Sequence, residues 1–383
     1  MIMIDRQRKL LQLLRQKGAL SRSEMSRLSG FRPNTVGDLI ASLLDAEIIR
    51  ECGSVPSQGG RPRLPLEIDP TRRHVVGLGI APGLISCARL NLRGSVIEGP
   101  FLEEAHGAGQ IVNAAKKLLS RTIDPKTLGI GISVTGFVDG DTKTILFSSS
   151  TPGERAVSLE KLTEATKELP VIMNNDMQAL AANWMLFHRE LIFDDTLLVR
   201  IGDGSIGASM LVNGMPVCGC ISGANELGHM RFLVETERCY CGFEGCLEQI
   251  FSTSYLKKIH PGDHRSLFEQ IRWYDSGNPS LDTLIRYLST GIANAVNLIR
   301  PHRLVLAGEM ISCGSFMAEL TRLVRLGILP ELVDCIRVDM WDHPSTHDAE
   351  IGGWLALAGF YLEGWCIRRE QSPRGGRSTL DSP

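Results

Sequence analysis

The sequence has no apolar run near the ~20 residues that a membrane-spanning helix needs. No export signal is expected either, since Asp5, Arg6, Arg8 and Lys9 stand where its apolar segment would lie. Net charge is nearly absent: 41 Lys+Arg against 43 Asp+Glu leave −2. With 43% apolar and 22% charged residues over 383 positions, large cores can be buried and wholesale disorder is excluded. The expectation is a cytoplasmic protein of about two to three domains with no membrane partner. Ten cysteines could suggest disulfides, but their clustering favours a metal site.

The small net charge hides an asymmetry. Residues 1–73 hold 13 basic and 8 acidic side chains, a net +5, and the remainder carries −7. A basic head on an acidic body suggests a module that binds a polyanion. Arg6–Lys17 has helical spacing with Leu10, Leu11, Leu13 and Leu14 as its apolar face, and Gly18 stops it. Ser21 with Glu24 forms a capping box for a second helix, which Gly30 ends. Pro33 suits the first turn of a third helix, through Asn34-Thr35-Val36-Gly37-Asp38 to about Asp45. Together these make a helix-turn-helix. Strands at 48–50 and 64–68 flank the loop 53–63, which contains Gly59-Gly60-Arg61-Pro62-Arg63. This pattern predicts a winged helix over 1–70. Arg32, Asn34, Thr35 and Asp38 would reach the major groove, and Arg61 and Arg63 the minor groove. The competing reading is a small helical interaction domain with an incidental loop.

From residue 74 strands and helices alternate, predicting an α/β body. Strands are expected at 75–80, 84–90, 96–102, 128–134, 171–173, 196–201, 208–212 and 303–307, and helices at 111–119, 176–187 and 284–298. Two such sets suggest lobes at 71–190 and 191–366 with a cleft between them, the last helix packing back on the first lobe. The polar tail 367–383 reads as disordered.

Three motifs carry chemistry. His229 with Cys239, Cys241 and Cys246 has the residue types and spacing of a Cys₃His zinc site, and four protein ligands make it structural rather than catalytic. The plainer alternative is unrelated buried cysteines and a surface histidine; Cys218 and Cys220 read as small buried residues. Asn174-Asn175-Asp176 at a strand end can grip hydroxyls or supply a base, or can simply cap a helix. The loop Gly202-Asp203-Gly204-Ser205-Ile206-Gly207 can cradle phosphate or form a hairpin turn; spacing alone does not separate the two.

Glu226-Leu-Gly-His229, the Cys239–Glu248 run and the Asn175-Asp176 pair, in this order behind a winged helix, resemble the repressor branch of the ROK family (repressors, open reading frames, kinases). The likeness spans about residues 6–365. It implies a two-lobed actin-like, sugar-kinase-like ATPase fold. It assigns Asn175, Asp176, Glu226, His229 and Glu248 to sugar binding, Asp176 as the catalytic base of kinase members, and zinc to His229, Cys239, Cys241 and Cys246.

The departures matter too. The first phosphate-binding turn of kinase members carries Asp and Gly-Gly-Thr, where this chain has Gly79 and Ala81-Pro82-Gly83. The nucleotide glycines Gly202, Gly204, Gly207 and Gly308 are only partly kept. ATP is therefore not an expected ligand, because phosphoryl transfer rests on positioning groups that are missing. The resulting expectation is a sugar-responsive transcriptional regulator of carbohydrate metabolism. It would act as a repressor on an operator duplex, as a homodimer or dimer of dimers, with a monosaccharide or sugar phosphate as effector. The rivals are an active ATP-dependent sugar kinase with a DNA-binding head and a constitutive DNA-binding scaffold.

Overall fold

Short signals at the amino terminus set the first three helices. In this computed structural model the described residues are 5–362 apart from 54–63, 152, 155, 163–165, 167–168, 192, 218–224, 276 and 343–347. Helix α1 spans Asp5–Lys17, α2 Arg22–Ser29 and α3 Pro33–Asp45. Ser21 Oγ accepts from the Glu24 amide at 3.3 Å, and the Glu24 carboxylate accepts from the Ser21 amide at 2.9 Å. Gly30, at φ 75, closes α2 in the left-handed conformation that a side chain would strain. Leu10, Leu11 and Leu14 of α1 bury with Met25 of α2 and Val36, Ile40 and Leu43 of α3. An antiparallel pair follows, β1 (Ile49–Glu51) with β2 (Leu66–Ile68). Arg61 and Arg63 of the loop between them lie outside the described residues, as do Cys218, Cys220 and the tail.

The body has two five-stranded sheets with the same topology. In the first, β3 (His74–Ala81), β4 (Leu84–Asn91) and β5 (Val96–Glu104) form an antiparallel meander, and β6 (Thr127–Val134) and β10 (Val171–Asn175) add in parallel beside β3. A small sheet of β7 (Phe137–Asp139), β8 (Thr144–Phe147) and β9 (Val157–Ser158) is inserted between those two strands. In the second, β11 (Thr196–Gly202), β12 (Ser205–Val212) and β13 (Met215–Pro216) repeat the meander, and β14 (Arg303–Ala307) and β15 (Arg337–Trp341) add in parallel beside β11. The α/β body behind a helix-turn-helix head is the fold class that the motifs and resemblance imply.

Helix α4 (Ala108–Thr122) buries Ile111, Ala115, Leu118 and Leu119 in a core with Val76, Leu78 and Ile130 of the first sheet. Helix α5 (Asp176–Phe187) leaves the end of β10. In the second lobe α6 (Pro279–Ile299) and α7 (Gly314–Gly327) pack on each other and share a core with β11 and β14. Helices α4 and α6 are longer than expected from the sequence, because their amphipathic spacing ends before their caps do.

Last in the chain, α8 (Asp348–Tyr361) returns to the first lobe and packs on β3, β4, β6 and α5. Its approach is backbone-to-backbone. A Cβ on Gly77 would collide with the Ala349 carbonyl, and one on Gly131 with the Gly352 carbonyl. The glycines of β3 and β6 are thus the footprint of a helix.

Candidate functional site

The junction of β10 and α5 delivers an amide, Asn175, and a carboxylate, Asp176, to the interlobe cavity. Asn175 is the N-cap of α5: its side-chain oxygen accepts from the Gln178 amide at 3.0 Å. Asp176, first residue of the helix, accepts from its neighbour's amide (Met177) at 3.0 Å and from Asn175 Nδ2 at 3.1 Å, both on Oδ1. Its Oδ2 faces Arg200 of β11 at 3.6 Å. Capping and site-building therefore fall to adjacent residues: Asn175 caps the helix and holds the Asp176 carboxylate toward the cleft.

Thr135, Gly136, Asn175 and Asp176 from the first lobe line one cavity with Arg200, Ser205, Asn225, Glu226, Tyr240 and Glu248 from the second. Three carboxyls converge there, and burial raises each. Asp176 is pushed up to about 6, with Arg200 opposing the shift and Asp348 adding to it. Glu226 rises to about 7, helped by Asp176 and Glu248, and Glu248 itself to about 7. Amides and carboxyls around one polar cavity are the groups that pair with several hydroxyls of one ligand.

His229 stands one layer behind the cavity. It ends a short helical turn, Leu227–His229, and its two ring nitrogens face different groups. Nε2 is 2.9 Å from the Tyr240 hydroxyl, and Nδ1 is 3.6 Å from Cys239 Sγ. Cys241 Sγ and Cys246 Sγ are 3.5 Å apart, and one ligand atom from each of His229, Cys239, Cys241 and Cys246 lies within 4.8 Å of the others. Those separations suit donors sharing one tetrahedral ion. The turns that bring them together use Gly242 and Gly245 at φ 96 and 78, with the Gly242 amide bonded to the Cys239 carbonyl at 2.8 Å. Glu248 Oε1 accepts from Cys239 Sγ at 3.1 Å, so the cluster touches a carboxyl of the cavity.

The glycine loop resolves to a hairpin turn. Gly202-Asp203-Gly204-Ser205 joins β11 to β12, with Gly204 at φ 64. Asp203 accepts from the Thr253 amide at 2.7 Å and from the Thr253 hydroxyl, while the Asp203 amide donates weakly to Glu309 Oε1 at 3.4 Å. Gly207 gives way to the Met177 side chain and Gly308 to the Ile201 backbone. Gly204, Gly207 and Gly308 thus have turn or packing reasons, and two carboxylates stand around the loop. Gly79 has such a reason as well, since a Cβ there would collide with Asp348.

In the head, Arg32, just before α3, and Asn34 and Asp38, on its first half, are exposed, and Thr35 is half-buried. Sequence reasoning missed Tyr240, Arg200, Thr135 and Asn225. Two of these left signals. Tyr240 sits between two cluster cysteines, and Arg200 is a lone charge in a strand of buried apolar residues.

The chain matches the ROK family over residues 104–352. It is 24% identical to the xylose repressor of Bacillus subtilis (strain 168) over 321 residues, 80% of this chain and 82% of that one. It is also 24% identical to the N-acetylglucosamine repressor of Escherichia coli O157:H7 over 322 residues, 78% and 79% of the two chains. Its fold is similar to that of a ROK family transcriptional regulator homologous to the E. coli MLC protein, at TM-score 0.76 and 22% identity over 93% of this chain and 96% of that one. A ROK family glucokinase from Streptomyces griseus, in complex with glucose and AMPPNP, aligns at TM-score 0.57 and 23% identity over 75% and 97%. The match spans well over half of the sequence, and the chain belongs to the ROK family.

Proposed function

We propose that this protein is a sugar-responsive, DNA-binding transcriptional regulator that acts as a repressor and has lost kinase activity. One contrast carries the reading. Amides and carboxyls converge in the interlobe cavity, whereas the nucleotide side holds Asp203 and Glu309 around its loop and has no carboxylate at Gly79. The Asp203 carboxylate is taken up by Thr253, and the space at Gly79, where kinase members carry their aspartate, is filled by the start of α8, so the positioning groups of phosphoryl transfer are not arranged as in the kinase pattern. The repressor relatives and the helix-turn-helix head point the same way.

Asn175 Nδ2 donates to hydroxyls and Asp176 accepts from them. Glu226 and Glu248 complete the set, and His229 holds Tyr240 in place from behind. The donor set of His229, Cys239, Cys241 and Cys246 suits zinc, which would stabilise the thiolates and lock that loop beneath the ligand. In the head, α3 would enter the major groove through Arg32, Asn34, Thr35 and Asp38, and the wing residues Arg61 and Arg63 would follow the minor groove. Two heads of a homodimer would read a two-fold operator. No helix among the described residues is long and apolar enough to cross a membrane. The effector is a monosaccharide or its phosphate, and lobe closure on it shifts the heads by differential affinity for two states.

The test is thermal unfolding of the full chain against a panel of monosaccharides and their 6-phosphates, with and without ATP–Mg²⁺. A ligand of the folded state raises the midpoint. One sugar shifting it while ATP–Mg²⁺ does nothing supports the regulator. An ATP–Mg²⁺ shift accompanied by sugar phosphorylation overturns the loss of kinase activity. No shift with any compound favours a constitutive scaffold.

A further inference from the structure

The face of α1 that meets the body is chemically uniform. Arg8, Gln12 and Arg15 recur at the spacing that places side chains on one side of a helix. Each donates to a backbone carbonyl at the end of another helix. Arg8 Nη2 reaches the Gly359 carbonyl at 3.4 Å, Gln12 Nε2 the Tyr361 carbonyl at 2.7 Å, and Arg15 Nε the Leu186 carbonyl at 3.1 Å. The first two acceptors are in the last turn of α8 and the third in the last turn of α5. Carbonyls there lack intrahelical partners and carry the negative end of the helix dipole, so cationic donors suit them. The Arg15 guanidinium also lies over the Phe187 ring, 4.7 Å from its centroid, and over the Tyr361 ring at 5.2 Å.

The opposite end of α5 is in the cavity, where Asp176 begins the helix, and α8, packed along α5, begins with Asp348 against Gly79 of β3. At 1.5 Å per residue their 12 and 14 residues span about 18 Å and about 21 Å, side by side and running the same way. Residues 177–186 of α5 are all buried, and so is most of α8. Packed helices shift past their neighbours in shear motions, and these two are encased along most of their length. At the far end Tyr361 is pinned as well, its hydroxyl donating to the Leu92 carbonyl at 2.7 Å.

We infer that α5 and α8 are a pair of transmission rods, which carry a displacement at the Asp176 end of the cavity to the DNA-reading head through Arg8, Gln12 and Arg15. This deepens the sugar-sensing reading and rests on it for its biological input, but its mechanical core is testable without a sugar. Arg15 is the positioning residue at the junction, since it touches the ends of both rods: the Leu186 carbonyl and Phe187 ring of α5 and the Tyr361 ring of α8.

The experiment is amide hydrogen exchange on the full chain in wild type, Asp176→Asn, Arg15→Met, Arg15→Lys, and the double variants of Asp176→Asn with each Arg15 change. Asp176→Asn removes the carboxylate that faces Arg200 and Asp348. It is expected to change exchange in α1, residues 9–17, by threefold or more. Arg15→Met is expected to erase that response, and Arg15→Lys, which keeps a cation over the carbonyls, to preserve it. Arg15→Lys also separates lost coupling from a head that fails to fold. Exchange in α1 that is unchanged by Asp176→Asn overturns the inference, and so does a full response in the Arg15→Met background. The same measurement with D-xylose, D-glucose and N-acetylglucosamine tests the input. If none of them alters any part of the chain while Asp176→Asn still reaches α1, the sugar reading fails and the rods stand.

Discussion

His229 Nε2 lies 2.9 Å from the hydroxyl of Tyr240, a residue set between two cysteines of the cluster and lining the cavity. With Nδ1 facing Cys239 Sγ at 3.6 Å, one imidazole joins the cysteine cluster to a hydroxyl that lines the cavity. Whatever fixes the cluster therefore fixes the cavity floor.

Metal removal is expected to act in two places. Without a cation the buried Cys246 thiol, pushed up to about 11, stays protonated and the loop loses its crosslink. Chelation, or Cys246→Ser, should strip one zinc per chain, lower the unfolding midpoint and weaken sugar binding tenfold or more. Metal analysis beside calorimetric titration checks this; unchanged sugar affinity in a metal-free folded protein would contradict it.

Asp176 gives a pH dependence whose sign is fixed. Its carboxyl is raised by burial to about 6 from its ordinary 3.8, so ionisation opposes folding. The stability it contributes is complete below about pH 4 and is lost as pH rises through about 6. Asp176→Asn removes that loss. The variant should be about 1–3 kcal/mol more stable than wild type at pH 8, and the gap should close by pH 4. Its sugar affinity should fall tenfold or more, because a charged acceptor is gone. Denaturant unfolding at the two pH values decides; a wild type more stable at pH 8 refutes the assignment.

Gly79→Asp restores the carboxylate of the kinase pattern but has no room for it. The new Cβ would collide with Asp348 at the start of α8. Destabilisation of about 1–3 kcal/mol is expected, with no sugar-dependent ATP turnover. Turnover in a stable variant would show that the nucleotide side needs only this residue.

In the head, Arg32→Ala should weaken binding to all duplexes alike and flatten the salt dependence by about one unit of slope. Asn34→Ala should cost about 1–3 kcal/mol on the preferred duplex and little on others. Both residues are exposed, so unfolding midpoints should stay unchanged. Fluorescence anisotropy at several salt concentrations reads both effects.

Local punctuation made much of this legible in the sequence. Ser21, Glu24, Gly30 and Pro33 mark the ends of the head helices, and Asn175-Asp176 and the cysteine run mark the site. What stayed hidden depends on distant pairing. The repeated sheet topology leaves no local trace, because register is set between strands far apart in the chain. Gly79 reads as the lost aspartate of a phosphate turn until α8, some 270 residues later, is seen to occupy the space. Arg15 reads as one more basic residue of an amphipathic helix, and its acceptor lies 171 positions away.

The most direct measurement is the affinity of the full chain for a duplex selected by it from a random library, taken with and without saturating sugar. The sugar used is the one that raises the unfolding midpoint. A sensor whose cavity is coupled to its head should change its dissociation constant at least tenfold, with no ATP required. The same dissociation constant in both conditions, with the sugar bound, would contradict the regulator.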